Sequence, residues 1–383
     1  MVAAVYAYPW NFHDLDGAVS RVRAIGADEI TLAASYHAGK FLQPGDVKAR
    51  VYFPEDGTVY FRPRKAYGLV QPKMSALTTE HDILADLCAR DDIAVNAWVV
   101  LNHNTRLGML HPELTVRNAF GNGYPYSLCP SQAEVRAYAV TLCSDMVENY
   151  RLKSLLLETP GFLTYGHGFH HEFAQVEPNA WLDAMLGLCF CQSCRAGAEQ
   201  AGIDASGLAH RICAAVDGWL AGAEASSLDH WNENDPDLAA YHRFRCQVVT
   251  SLVADIRAAV TPTVRVKVIA TCQRPHATAY LEGHDLTLLD AVSDGLELPL
   301  YQSSPEAVLA DGRYVLGRVP PSRTSVILRP GYPDMTRESD LTETLDGLEA
   351  LGLSDFAFYN FGMLREMNLD WLKRALTKKV HYV

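Results

Sequence analysis

The sequence has no apolar run close to the ~20 residues needed to span a bilayer, and no basic leader precedes the short apolar stretch in its opening MVAAVYAYPWNFHD. That opening reads as a first strand, not a signal peptide. Basic residues are outnumbered: 33 Lys and Arg stand against 45 Asp and Glu, a formal net charge of −12. No basic stripe exists to neutralise phosphates, which excludes nucleic acid as a partner. Internal repeats and low-complexity tracts are absent, and no glycine fingerprint follows any candidate strand, which weakens a dinucleotide-binding sheet. The nine cysteines are an odd number, and without an export signal they imply reduced thiols and metal ligation before disulfides, in a cytoplasmic protein with no membrane partner.

What is present is a large apolar core. Hydrophobic residues make up 49% of 383, enough for a sizeable barrel and too many for wholesale disorder. Eight β-branched, apolar runs recur: 3–10, 29–35, 93–101, 152–158, 264–271, 291–301, 324–330 and 355–362. Helical periodicity fills most gaps between them, at 15–25, 81–90, 133–150, 238–260 and 341–351. Strands apolar on both faces and alternating with helices predict a parallel sheet, and eight such units predict a (β/α)8 TIM barrel of the α/β class forming one catalytic domain over 1–383. Two stretches depart from the alternation. Residues 41–70 hold VYF, PEDGT and VYF, a β-hairpin signature with Asp-Gly in the turn. Residues 159–237 form a long insertion after the fourth strand.

That insertion carries LCFCQSCRAG (188–197). Cys189, Cys191 and Cys194 at C-x-C-x-x-C spacing can supply three ligands to a tetrahedral zinc, with the fourth from elsewhere. The bland alternative is that they are buried hydrophobes, as free cysteine often is. Cys88, Cys143, Cys213, Cys246 and Cys272 are scattered along predicted helices and strands and read as core residues.

The stretch YSLCPSQAEVRAYAVTLCSDMVENY (126–150), a strand ending in glutamate, and then CFCQSCRAG together resemble the β-galactosidases of glycoside hydrolase family 42. The resemblance covers about residues 120 to 200 and elsewhere only the barrel pattern. It implies one structural Zn2+ held by Cys129, Cys189, Cys191 and Cys194, and an acid/base role for Glu158 at the end of the fourth strand. It also raises the prospect of a homo-oligomer, since the family often forms trimers. The sequence departs from the family at two places. Leu157 stands where the family has Asn, and Arg329, in VILRPGYPD, stands where it has its nucleophilic glutamate. Arginine stays protonated and cannot be a nucleophile or base, but its fork suits an acidic or phosphorylated sugar.

In this fold the active-site residues sit at the C-terminal strand ends. Glu158 closes SLLLE, where an apolar surround would favour a general acid. A second carboxylate is needed. Asp294 and Glu297 lie on opposite faces by alternation, and Glu297, nearer the strand end, is the better candidate; Asp14 and Asp334 are weaker ones. A carbohydrate-like set rims the other ends: Tyr36, His37 and Lys40; Asn102, His103 and Arg106; Tyr359 and Asn360. Aromatic faces stack on sugars, and Asn and His serve hydroxyls. YGHGFHHEF (165–173) adds His167, His170, His171 and Glu172, read as a substrate-contacting loop or a divalent-metal site. The leading expectation is a glycoside hydrolase acting on a small glycoside or oligosaccharide. The alternatives are a metal-dependent lyase or isomerase on an acidic sugar using the 167–172 loop, and an inactive sugar-binding barrel.

Overall fold

A computed structural model describes residues 2–46, 49–167, 169, 172–177, 179–224, 226–271 and 274–380. Eight strands form the wall: β1 (Val2–Ala7), β2 (Glu29–Tyr36), β3 (Ala94–Val100), β4 (Ser154–Glu158), β5 (Arg265–Ile269), β6 (Leu296–Pro299), β7 (Thr324–Leu328) and β8 (Asp355–Phe358). Each pairs in parallel with the next. Val2–Val5 of β1 then pairs with Asp355–Phe358 of β8, which closes the ring. A helix follows each strand: α1 (Leu15–Ala24), α2 (Ile83–Cys88), α3 (Ala133–Asn149), α4 (Pro236–Ala259), α5 (Leu286–Val292), α6 (Pro305–Leu316), α7 (Glu338–Ala350) and α8 (Glu366–Val380). The fold is a (β/α)8 barrel.

The sequence explains these elements locally. Asp14, Asp235 and Ser304 cap α1, α4 and α6 by accepting hydrogen bonds from backbone N–H groups of the first turn, and Pro236 and Pro305 each take the first helical position. Outward-facing strand residues such as Val5, Ile30, Val99, Leu157, Val268 and Phe356 pack under the helices in one continuous core. Cys88, Cys143 and Cys246 are buried as expected and Cys213 is half-buried, while Cys272 lies outside the described residues. Among the described residues no helix is long and apolar enough to cross a membrane.

The barrel interior is layered. Tyr6, Trp98, Leu156, Ile269, Ile327 and Ala357 form an aromatic and aliphatic layer toward the mouth. Near it lies a polar group in which Glu297 and Lys267 are buried and Asp355 is half-buried. Glu297 accepts from the Tyr6 hydroxyl at 2.6 Å and the Ser325 hydroxyl at 2.9 Å. Lys267 lies 3.7 Å from it and 2.7 Å from Asp355. A buried charge is tolerated when it is paired and hydrogen-bonded in this way.

Two excursions differ in outcome. In residues 41–70 the expected hairpin of VYF on VYF does not form. Val51–Tyr52 pairs antiparallel with Phe41–Leu42, whereas Thr58–Val59 pairs antiparallel with Ser35–Tyr36 of β2 and parallel with Lys73–Met74. The end of β2 outbids the nearer strand because it offers ordered ladder partners in the barrel wall. The insertion after β4 is helical, at 180–186, 192–200, 205–220 and 228–234. Trp181, Met185, Leu208, Ile212 and Val216 give it an apolar cluster of its own, joined to α4 through Leu238 and Tyr241.

Two buried histidines make stability depend on pH. Burial pushes His242 of α4 down to about 3, with the positive charge of Arg245 adding to the effect. Burial likewise pushes His284, just before α5, down to about 4. Unfolded, both return to about 6.5 and bind more protons than the folded chain below that pH. Their contribution is therefore complete above about pH 6.5 and is lost as pH falls toward 4 and then 3. We expect the urea midpoint to drop across that window and His242→Asn to flatten the drop; equal slopes for both proteins would refute this origin.

Candidate active site

The C-terminal strand ends open onto a cavity of about 640 Å³. Its strand-borne lining is Tyr6, Tyr36, Trp98, Glu158, Ile269, Pro299 and Ile327; the loops add His37, Asp56, His103, Tyr126, His167, Phe169, Tyr301, Arg329 and Tyr359, among others. The lining is mostly aromatic rings and neutral polar groups, the makeup of a small-molecule site.

Glu158 is the last residue of β4, and the indole N–H of Trp98 donates to its Oε2 at 2.5 Å. Leu156 pairs with Trp98 across the two strands, so Glu158, two residues on, shares their inward face. Directly after it Thr159 has φ +51°, a left-handed conformation that a β-branched residue rarely adopts. The turn is held from β3's end. The backbone N–H groups of Leu101 and Asn102 donate to the carbonyls of Glu158 and Thr159 at 3.0 and 3.1 Å. The Asn102 side chain donates to the carbonyls of Pro160 and Gly161 at 2.8 and 3.2 Å. Asn102, expected at a sugar hydroxyl, is thus buried and absent from the cavity lining; it anchors the chain behind Glu158.

Of the other expected site residues, Tyr36, His37, His103, His167, Arg329 and Tyr359 line the cavity. Arg106, Asn360 and Lys40 do not: Arg106 donates to the backbone carbonyl of Asp56 at 2.7 Å, Asn360 is buried and accepts from Gly362 N–H, and Lys40 is exposed. Glu297 does not line the cavity either, being enclosed by Tyr6, Ser325 and Lys267. Burial raises its pKa and Lys267 opposes the rise. Asp294 sits ahead of β6 and accepts from Val266 N–H, and Asp14 serves as the α1 cap. His170 and His171 lie outside the described residues, and Glu172 accepts from the backbone N–H of Phe169.

Three histidines form one wall. The rings of His37 and His103 stack with centroids 4.0 Å apart, and His103 Nδ1 lies 3.1 Å from His167 Nε2. Burial lowers the pKa of both His37 and His103, and for His103 the neighbouring histidines add to it. The stack is neutral at pH 7. Among the described residues these histidines do not converge on a common metal position. Arg329 bonds Asp334 through Nε and Nη2, both at 2.7 Å, and its guanidinium lies 4.1 Å from the centre of the Tyr301 ring. The fork expected to grip an anionic sugar is therefore closed by Asp334, which leaves the Nη1 edge. Sequence reasoning missed Trp98, Tyr6, Tyr126, Tyr301 and Asp56. The period-2 register of β1 and β3 could have found Tyr6 and Trp98, while Asp56 was read as a turn residue.

Beside the barrel, Cys129 from the loop before α3 meets Cys189, Cys191 and Cys194 from the insertion, all four buried and with their sulfurs within 4.8 Å of one another. Cys129 Sγ lies 3.6, 3.5 and 3.7 Å from the sulfurs of Cys191, Cys194 and Cys189. Disulfide sulfurs would be about 2 Å apart, whereas a tetrahedron with bonds of about 2.3 Å has edges of about 3.8 Å. Burial pushes the Cys129 thiol up; a divalent cation at the centre is what makes such buried thiols thiolates. The donor set fits zinc.

No protein-family model matches the sequence, and no curated protein matches it. Solved structures do share the fold. The PgaB (BpsB) glycoside hydrolase domain from Bordetella bronchiseptica superposes with a TM-score of 0.61 at 13% identity, over 98% of this chain and 99% of that one. The catalytic domain of β-amylase from Paenibacillus polymyxa gives 0.59 at 13%, over 99% and 98%. β-Galactosidase from Bacillus circulans sp. alkalophilus gives 0.58 at 11%; 99% of this chain covers 55% of that one. At these identities the likeness is one of fold.

Elemental analysis tests the four-thiol knot: we expect one zinc per chain in purified protein, and Cys129→Ser to lower both metal content and melting temperature. Metal-free protein with an unchanged melting temperature would show four ordinary buried thiols.

Proposed function

We propose that this chain is a glycoside hydrolase in which Glu158 donates the proton to the leaving oxygen, with a structural zinc in the four-thiol knot. One observation carries the reading. A single strand-end carboxylate, fixed by an indole N–H and a strained turn, faces an aromatic cavity at the mouth of a barrel whose fold glycoside hydrolases share. The cavity volume of about 640 Å³ falls within the roughly 300–1,000 Å³ of small-molecule sites, which suits a short glycoside.

The chemistry follows from the donors. The Trp98 N–H can only donate, so Oε2 is its acceptor and the proton of the acid form belongs on Oε1. Trp98, Tyr36 and Tyr359 bring aromatic surface to the cavity for sugar C–H groups, and the neutral His37–His103 pair offers N–H and lone pairs to hydroxyls. Leu157 packs in the outer core, so it makes no hydroxyl contact of the kind the family's Asn makes. The Nη1 edge of Arg329 is a further donor for a ring hydroxyl. Bound zinc would brace Cys129 at the loop before α3 against the insertion that follows Glu158.

Glu158→Gln keeps the acceptor for Trp98 and removes the acid. We expect kcat on aryl glycosides with poor leaving groups to fall about 10²–10⁴-fold, with little loss on 2,4-dinitrophenyl glycosides, which depart unprotonated. Equal rates for the variant and the parent would overturn the assignment. A broad glycoside panel that the parent never cleaves would leave a sugar-binding barrel.

A further inference from the structure

Resting on the hydrolase reading above, we infer that Asp56 is the general base of the reaction, that it activates water, and that hydrolysis inverts the anomeric centre. A glycosidase needs a second group besides its acid, and the expected places do not provide it. The end of β7 holds Arg329, locked to Asp334, and Glu297 is shut away from the cavity by its own partners. Among the described residues lining the cavity, the carboxylates are Glu158 and Asp56.

Asp56 is built into its place. It sits in the excursion after β2, just ahead of Thr58–Val59, the pair that joins β2 in the ladder. Its Oδ1 accepts from Ala38 N–H at 3.1 Å, and its backbone carbonyl accepts from Arg106 at 2.7 Å. Gly57 has φ +59°, and a Cβ there would fall 2.1 Å from Asn104 Oδ1, so the turn is pressed against the loop that follows β3. Among the described residues no donor is hydrogen-bonded to Asp56 Oδ2. That oxygen is the acceptor for a water proton. The Arg106 guanidinium, expected to touch sugar, instead holds the base.

The step balances without a cofactor. Glu158 gives its proton to the glycosidic oxygen as the bond to the anomeric carbon breaks, the electron pair staying on that oxygen. Water attacks the anomeric carbon from the opposite face and passes a proton to Asp56. Glu158 ends ionised, Asp56 ends protonated, and exchange with solvent restores both. A base acting through water, with no carboxylate at the nucleophile position, gives a single displacement and inversion.

Two measurements test this. Proton NMR of the first turnover by the unaltered protein on an aryl glycoside should show product of inverted configuration. Asp56→Asn, which keeps an acceptor for Ala38 N–H, should lose about 10²–10⁴ in kcat on both aryl glycosides and glycosyl fluorides, with an unchanged melting temperature. Glu158→Gln, by contrast, should spare the fluoride, whose leaving group needs little protonation. A retained anomer, or Asp56→Asn within threefold of the parent, would overturn the inference while leaving the hydrolase reading intact. An inert parent or a silent Glu158→Gln would remove that reading instead.

Discussion

Closure of the parallel ladder between β8 and β1 is the constraint on which the rest of the molecule depends. An open parallel sheet of eight strands would present two bare edges, with N–H and C=O groups seeking partners. Pairing Ala3 with Phe356 and Val5 with Phe358 removes both edges. It also brings eight strand ends into one ring, so residues from opposite ends of the sequence come to share a cavity: Tyr6 from β1 and Tyr359 from just beyond β8 have ring centres 6.0 Å apart. Every side chain named at the mouth is placed by that ring first and by its own loop second.

Within the ring the division of labour follows depth. Toward the base, polar groups are satisfied by one another, as in the Lys267, Glu297 and Asp355 group and the Lys153, Glu29 and Asn96 group. Above them aromatic rings pack edge to face, Tyr6 against Trp98 at 5.2 Å. Above those the cavity begins. Glu297 and Glu158 are both inward-facing strand carboxylates, yet one is enclosed by partners and the other reaches the opening. What separates them is enclosure: Tyr6, Ser325 and Lys267 surround Glu297, while Glu158 lines the cavity.

How much of this the sequence disclosed depends on whether the signal was local. The strands were legible because both of their faces are buried, leaving unbroken apolar runs. The thiol knot was legible because three of its members are adjacent in the chain, and Cys129 was added by resemblance alone. Glu158 stood out as the charged terminus of SLLLE. Glu297 was placed on the correct face by alternation, but alternation carries no information about depth. The hairpin failed because Asp-Gly marks a turn without naming the strands it joins, and the better partner, Ser35–Tyr36, is distant in sequence. Asp56 was hidden by the same dipeptide, since aspartate in a turn already has a sufficient local explanation. Asn102 carried the right residue type for a sugar contact, and only its distance to the Pro160 and Gly161 carbonyls assigns it another task.

The hydroxyls of Tyr36 and Tyr359 both meet that of Tyr8, at 3.0 and 2.7 Å. They come from β2, from the residue after β8 and from the residue after β1, the three strands on either side of the seam. Three phenols in one cluster can donate only three hydrogens among themselves and their guest, and each rotation of one O–H obliges the others to turn. The cluster is a small cooperative ring of orientable dipoles with no fixed sign. It can turn a donor or an acceptor toward the cavity without moving a heavy atom, so the barrel's joint doubles as an adaptable patch of the cavity wall.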